Sequence, residues 1–290
     1  MQSPAILNLM TPLKKITAPE IKARIQKEAP KDALWIFDCD GTLIKGDIAS
    51  MTAWALIRFG IAHAELLPDE YEEFRKTPFD YSSFRSLRKL VGDKKGSNSI
   101  YEWEAFLHAG VPVATSYDMA KLASAEGFKI GAMGLTGAVT DLATANAKNA
   151  WIVSGSPEFC VWSIADQVQI PHERVIGTRL ETVDGILAPR IIAPGIIWEE
   201  LKRTALRDKG VQSPYFVAGD TIGDWQMMEM STRWCWALVW DHHRHRGEEM
   251  REVMQTRILN PHQRILPKEP GFYLFESTPQ NWVIEVRHEG

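Results

Sequence analysis

The stretch "LWIFDCDGTL", residues 34–43, decides how this chain reads. An apolar run ends in two aspartates, Asp38 and Asp40, separated by Cys39 and followed by Gly41 and Thr42. Short, apolar and stopped by turn residues, the run predicts a buried strand. Two carboxylates at the end of such a strand repel one another, and burying either is costly without compensation. A solvated Asp-Gly turn would account for Asp40-Gly41 alone. A metal site in which one carboxylate is also a nucleophile would account for both aspartates. The remainder of the chain has to choose.

Composition narrows the classes. The 290 residues suffice for one large domain or two modest ones. A net charge of −4 with no basic block argues against a nucleic-acid-binding surface, though a local site for anionic substrates remains open. The three cysteines, Cys39, Cys160 and Cys235, are far apart, with neither metal nor redox spacing. The N-terminus lacks the basic start and sustained apolar core of a signal peptide. No apolar run approaches the roughly 18–20 residues of a membrane span. The expectation is a cytoplasmic protein with no membrane partner.

Further along, "AWIVSGS" (150–156) and "PYFVAGD" (214–220) repeat the opening pattern of an apolar strand ending in small or acidic residues. "WCWALVW" (234–240) predicts a fourth strand, and the segment around Asp184-Gly185 a β-hairpin. A short amphipathic helix precedes the first strand, carrying Ile21 and Ile25. Helical patterns dominate 47–132: "DIASMTAWALIRFG", "PDEYEEFRKT", "DYSSFRSLRKLVG", "SIYEWEAFLHAG" and "SYDMAKLASAEG". "LTGAVTDLATANAKN" (135–149) and "WEELKRTALRDKG" (198–210) read as helices, and the late "GFYLFES" as a strand. Strands alternating with helices predict an α/β fold with a mostly parallel sheet, whose functional residues collect beyond the carboxyl ends of the strands.

With these elements in order, the chain resembles the haloacid dehalogenase superfamily, and within it the phosphoserine-phosphatase-like branch. The resemblance rests on D-x-D-x-T at Asp38, Asp40 and Thr42; on Ser154 in "IVSGSPEF"; on Lys202 in "WEELKRTAL"; and on Asp220 and Asp224 in "GDTIGD". It spans roughly residues 33–46 and 134–240 and implies a three-layer Rossmann-like core. It also implies a Mg²⁺-dependent phosphatase acting on a small phosphorylated metabolite. Asp38 would attack phosphorus and form an aspartyl phosphate, and Asp40 would shuttle the proton. Asp38, the Asp40 backbone carbonyl and Asp220 would bind Mg²⁺, with Asp224 holding a metal-bound water or Lys202. Lys202 would screen the charge shared by nucleophile and phosphate. Ser154 would grip a phosphoryl oxygen, helped by the backbone of Gly155 and Ser156. Thr42 would either touch phosphate or fix the turn.

The bland alternatives are a solvated Lys202, with Lys209 as a rival, and a Ser154 that merely caps the following helix. Cys39 reads as a small filler. The resemblance divides the chain into a lead-in (1–32), a catalytic core (33–46 and 133–245), a mobile helical cap (47–132) and a C-terminal extension (246–290). In the phosphoserine-phosphatase branch an acidic residue soon after the first motif and a cap arginine hold the substrate. Here Asp47, which could equally be a helix N-cap, and either Arg85 or Arg88 occupy similar places. "SGS" stands where that branch shows "SGG", so serine phosphate is one possibility among several. A choline-like head group, boxed by Trp54 and Trp103, is a second reading, although the place of Trp54 on a helix reads first as core packing. A non-catalytic phosphate-binding or regulatory domain is a third. "DHHRHRG" (241–247) reads as a solvated loop in preference to a metal site.

Overall fold

The computed structural model describes residues 18–69, 71–72, 79–96, 98–239, 271–276 and 283–286. The lead-in helix is α1 (Ala18–Glu28), the opening stretch supplies β1 (Trp35–Phe37), and β2 (Ile44–Lys45) follows directly after it. Then come α2 (Ile48–Arg58), α3 (Tyr81–Lys95), α4 (Asn98–Phe106) and α5 (Val113–Lys129). The chain returns through β3 (Gly134–Leu135) and α6 (Ala138–Ala145) to β4 (Ala150–Pro157), α7 (Glu158–Gln167) and β5 (Val175–Thr178). The hairpin is β6 (Leu180–Val183) and β7 (Ile186–Ile191). Next are α8 (Glu200–Asp208), β8 (Phe216–Gly219), α9 (Trp225–Met228) and β9 (Trp234–Val239). Two late strands follow, β10 (Gly271–Glu276) and β11 (Val283–Val286).

The main sheet has the order β11-β10-β9-β8-β1-β4-β5. From β9 to β5 every neighbour is parallel, and β10 and β11 continue the edge antiparallel. Alternation along the strands splits the core into two faces. Trp35 and Phe37 join Phe216, Ala218, Trp234 and Trp236 in one apolar cluster, while Ile36, Val217, Cys235 and Ala237 belong to the other. Helices α2, α5 and α7 pack over the first face, and α8 and α9 over the second, which completes three layers. Because β4, β1 and β8 are neighbours, the Ser154–Ser156 segment, the Asp38–Asp40 pair and Asp220 leave the sheet side by side. Three motifs distant in sequence therefore meet at one carboxyl edge.

The helices between β2 and β3 belong to the first cluster as well. Helix α2 is apolar on nearly every side and buries ten of its eleven residues, Ile48 to Ile57, so it is a packed element with no solvent face. Asp47 is its N-cap: the carboxylate accepts the Ser50 N–H at 2.9 Å. One continuous apolar cluster runs from Trp35 and Phe37 through Met51 and Trp54 to Phe84 and Trp103. The hairpin also reaches this region. Gly110 N–H donates to Leu187 O at 2.8 Å, Leu187 N–H to Val111 O at 3.0 Å, and Val113 N–H to Gly185 O at 3.1 Å.

Some details depart from the sequence reading. The segment expected to be helical from Leu135 first forms β3 against β2, and the helix begins only at Ala138. The cause is nonlocal: Ile44 pairs with Leu135, and Thr136 N–H donates to Leu43 O at 3.1 Å. Strand β11 has no counterpart in the reading. Most of "PDEYEEFRKT" and all of "DHHRHRG" lie outside the described residues. Among the described residues no helix is long and apolar enough to cross a membrane.

Candidate active site

The carboxyl edge opens into a cleft of about 580 Å³ whose floor carries Asp38, Asp40, Ser154, Ser156, Lys202 and Asp220. Asp38 is 4% exposed, and Lys202 donates to its Oδ1 at 2.5 Å. The same ammonium donates to Asp224 Oδ1 at 2.6 Å. Lys202 is buried on the inward face of α8, so the solvated-lysine alternative fails; Lys209 sits exposed at that helix's end. Burial opposes the charge on Lys202, but Asp224 and Asp38 outweigh it and hold the ammonium protonated. Burial and the neighbouring Asp224 push the Asp38 carboxyl up to about 7, against the pull of Lys202.

Asp224 is committed to holding the loop. Its Oδ2 accepts the N–H groups of Asp220 at 3.1 Å and Thr221 at 2.9 Å, and the Thr221 hydroxyl at 3.2 Å. Of the two roles read for it, holding Lys202 is the one observed. Gly219 is required here, since a Cβ would come within 2.5 Å of Asp224 Cβ.

Asp40 is clasped from two sides. Its Oδ1 accepts Ile48 N–H at 2.7 Å, at the start of α2, and its Oδ2 accepts the hydroxyls of Ser154 at 3.0 Å and Ser156 at 2.7 Å. Burial and Asp47 push this carboxyl up to about 6, while those three donors pull it down. Ser154 therefore serves Asp40 here, and its Oγ also accepts Ser156 N–H at 3.0 Å. It does not cap the next helix, which begins at Glu158 after extended Pro157 without a side-chain cap. Gly155 lines the same cleft, and a Cβ there would lie in ordinary contact with Ile197 O at 3.6 Å. Thr42, expected on phosphate or in the turn, is fully enclosed and absent from the cleft lining; its hydroxyl has no partner among the described residues.

The donor set fits a hard divalent cation. Oxygens of Asp38, Asp220 and Asp224 lie within 4.8 Å of one another. Asp220 is 3% exposed, and its Oδ2 accepts no hydrogen bond among the described residues. Burial, Asp38 and Asp224 all push its carboxyl well above the usual range. Three buried carboxylates against one lysine leave an excess of negative charge, which a cation with oxygen ligands would relieve. Gly41, with φ of +84°, leaves the space: a Cβ there would lie 2.0 Å from Asp220 Oδ2. The opening Asp-Gly is thus tied to the second carboxylate strand.

The other end of the cleft is polar and aromatic. Arg88 Nε donates to Glu104 Oε1 at 2.6 Å, and its Nη2 to Asp47 Oδ2 at 3.3 Å. Glu104 is 1% exposed and also accepts the Ser50 hydroxyl at 2.7 Å. Burial pushes the Glu104 carboxyl up to about 7, although Arg88 pulls it down. Tyr81, Tyr101 and Trp198 line the walls, and the rings of Tyr101 and Trp198 meet at 5.3 Å. Sequence reasoning missed Glu104, Ser50 and these three aromatics. Trp198 packs against Gly223, where a Cβ would come within 1.9 Å of the indole Nε1, a contact that nothing in the sequence displays. Trp54 is buried in the core, as its helix position indicated, and so is Trp103, which leaves the choline-box alternative without its walls; each donates its indole N–H to a backbone carbonyl, Phe79 and Leu66 respectively.

A mostly parallel sheet with helices on both faces, and buried carboxylates and a lysine at its carboxyl edge, defines a Rossmann-like α/β core with an acidic site. The family model for haloacid dehalogenase-like hydrolases matches residues 35–229, and the chain belongs to that family. Among solved structures, it is similar to a conserved functionally unknown protein from Anaerococcus prevotii DSM 20548. That pair has 19% identity and a TM-score of 0.57, covering 75% of this chain and 84% of the other. A protein with unknown function from Bordetella pertussis Tohama I gives 18% identity and a TM-score of 0.57, covering 77% and 95%. A phospho-aspartyl intermediate analogue of phosphoserine phosphatase gives 16% identity and a TM-score of 0.42, covering 78% and 99%. The first two share its fold. No curated protein sequence matches the chain.

Proposed function

We propose that this protein is a cytoplasmic, Mg²⁺-dependent phosphatase that hydrolyses a small-molecule phosphate monoester through an aspartyl phosphate on Asp38. The observation that carries the reading is Lys202, buried between Asp38 and Asp224 at 2.5 and 2.6 Å, with Asp40 clasped beside it in the same cleft. An Asp38 oxygen attacks phosphorus in line, and the bond from phosphorus to the ester oxygen breaks. Asp40, whose carboxyl is pushed up to about 6, gives its proton to the departing alkoxide. It then takes a proton from the water that attacks phosphorus, which releases phosphate and restores the Asp38 carboxylate. Lys202 holds Asp38 in one rotamer and offsets charge on the phosphoryl oxygens. Ser154 and Ser156 orient Asp40 by donating their hydroxyls to its Oδ2, and a phosphoryl oxygen entering the cleft would compete for those donors.

Asp38, the Asp40 backbone carbonyl and Asp220 would hold Mg²⁺, which supplies charge neutralisation for the phosphoryl group. Asp224 acts through Lys202. The helices of residues 47–132 act as the cap that closes over the leaving group. The test is phosphate release from a chromogenic aryl phosphate with Mg²⁺, for the wild type and Asp38→Asn. An inert wild type would sink the reading in favour of a non-catalytic domain, and undiminished Asp38→Asn turnover would remove Asp38 as nucleophile.

A further inference from the structure

Ile196, Ile197 and Trp198 follow one another in the chain, and all line the cleft; Tyr101 of α4 meets the last of them. The run belongs to the core, between the hairpin and α8, whereas Tyr101 comes from the helical interval. The two rings lie with centroids 5.3 Å apart and planes inclined at 55°, a separation at which aromatic pairs attract beyond their buried area. Neither ring takes part in the hydrogen bonds that hold Asp38, Asp40 and Lys202. Their place in the cleft is therefore unexplained by the reaction itself.

Trp198 is held in position. Its indole rests against Gly223, where a Cβ would lie 1.9 Å from Nε1 and 2.4 Å from Cδ1. Gly223 sits between Asp220 and Asp224, so the indole is seated on the backbone of the loop that carries the acidic site. Trp198 N–H donates to Ile196 O at 2.8 Å, and Leu201 N–H to Trp198 O at 3.0 Å, just before Lys202 on α8. A ring fixed in this way loses little freedom when a ligand packs on it, and it offers a large contact area on few rotatable bonds. Ile197 beside it is 2% exposed, and Ile196 is half-buried. A polar leaving group laid on this wall would lose water without gaining a hydrogen bond, whereas a planar ring would gain dispersion and quadrupole contacts. The cleft, at about 580 Å³, is of the size that encloses drug-sized ligands, enough for a ring beside the phosphate.

We propose that Trp198, paired with Tyr101, determines specificity: it selects phosphate esters whose leaving group carries a planar aromatic or heteroaromatic ring, which packs on the indole. The inference rests on the phosphatase reading for its substrate, yet the ring subsite is testable by binding alone. Tyr101 bounds the subsite from the helix end, so a ligand ring touches both the core and the helical interval.

The experiment uses the full chain with Mg²⁺ and unreactive alkylphosphonates that end in a phenyl ring, a cyclohexyl ring or a hydroxyl group. Binding is read by calorimetry for the wild type, Trp198→Phe, Trp198→Leu and Trp198→Ala. The wild type is expected to bind the phenyl ligand on the order of fivefold more tightly than the cyclohexyl one, a difference that apolar burial alone does not produce. The hydroxyl-ended ligand should bind weakest. The preference for phenyl over cyclohexyl should survive in part in Trp198→Phe and vanish in Trp198→Leu, which keeps an apolar side chain without an aromatic face. Trp198→Ala should lose it too, and Trp198→Leu carries the test alone if the alanine variant does not fold. Equal affinity for the two rings in the wild type, or a preference that persists in Trp198→Leu, overturns the inference. Phosphate release from aryl and alkyl esters reports separately on the reaction. A Trp198-dependent ring preference with no turnover would sink the phosphatase and leave this subsite standing, and turnover without the preference would do the reverse.

Discussion

The two ends of the cleft are built on opposite plans. At the sheet end, each polar group comes from a strand end or the helix behind it, and its partners lie one or two atoms away: Lys202 on Asp38 and Asp224, Ser154 and Ser156 on Asp40. At the helix end, charges come from three helices that are distant in sequence, as in the set Asp47, Arg88 and Glu104. On the proposed mechanism the first plan fixes the reaction, because the sheet and the helix behind it hold Asp38 and Lys202 against one another. On the same proposal the second fixes what is admitted, and a helix residue there can change without disturbing the chemistry. The difference teaches where to look for each property: kcat should follow the strand ends and KM the helices.

The largest effects should fall at the sheet end. Asp38→Asn is expected to lower kcat by roughly 10³-fold or more while circular dichroism stays unchanged, since an amide cannot serve as the phosphoryl acceptor. Exhaustive chelation should bring turnover to background, and added Mg²⁺ should restore it. Full activity after chelation would mean that the unpartnered Asp220 Oδ2 holds no required cation. Lys202→Met should cost both activity and stability. It leaves Asp38 and Asp224 buried without their common partner, a loss of about 3–5 kcal/mol for a broken buried pair. Thermal denaturation measures the second part, and an unshifted midpoint would show that the pair is not structural.

A smaller effect is expected at the helix end. Glu104→Gln should raise KM more than it lowers kcat and cost about 1–3 kcal/mol, because Arg88 and Ser50 lose a charged acceptor. It also has a pH signature. Glu104 is pushed up from 4.5 to about 7, so the folded protein binds this proton more readily than the unfolded chain. Its contribution is full below about pH 4.5 and falls away as pH rises towards 7. The variant should lose that slope in denaturant titrations, and an identical slope in both proteins would contradict the burial argument. The smallest change is Trp54→Phe, which removes a bond to Phe79 O at 3.2 Å: a modest stability loss and no reordering of substrate preference. A changed ranking would bring Trp54 back as a cleft wall.

The same contrast governs what could be read in advance. The α/β order, the parallel sheet and the strand-end residues were legible because each strand is a short apolar run closed by turn residues, and because parallel topology gathers such ends. Lys202 was less so: its burial depends on which face of α8 meets the sheet, and only its place before β8 marked it. The helix end was not legible. Glu104 is one acid among several in "SIYEWEAFLHAG", and nothing local says that α4 turns it inward onto Arg88 and Ser50. Arg85 and Arg88 differ by three positions on one helix, and only tertiary contacts separate the strut Arg88 from Arg85, which is exposed and has no ion pair among the described residues. Trp54 was legible as a core residue from its place on the apolar α2, which the structure bears out, whereas nothing local marked Trp103 as buried. Strand β3 was hidden for the same reason, since its partner Ile44–Lys45 lies some ninety residues earlier.

The central claim is that Asp38 carries the phosphoryl group. It is tested most directly by trapping that group on the chain. Asp40→Asn should still be phosphorylated by an aryl phosphate, whose leaving group needs no acid, but should lack the base for the second step. Acid quenching after mixing this variant with substrate and Mg²⁺, followed by peptide mass spectrometry, should find one added phosphoryl group on the peptide that contains Asp38. An unmodified Asp38 peptide in an enzyme that is still releasing phosphate, or the group on another residue, would contradict the account.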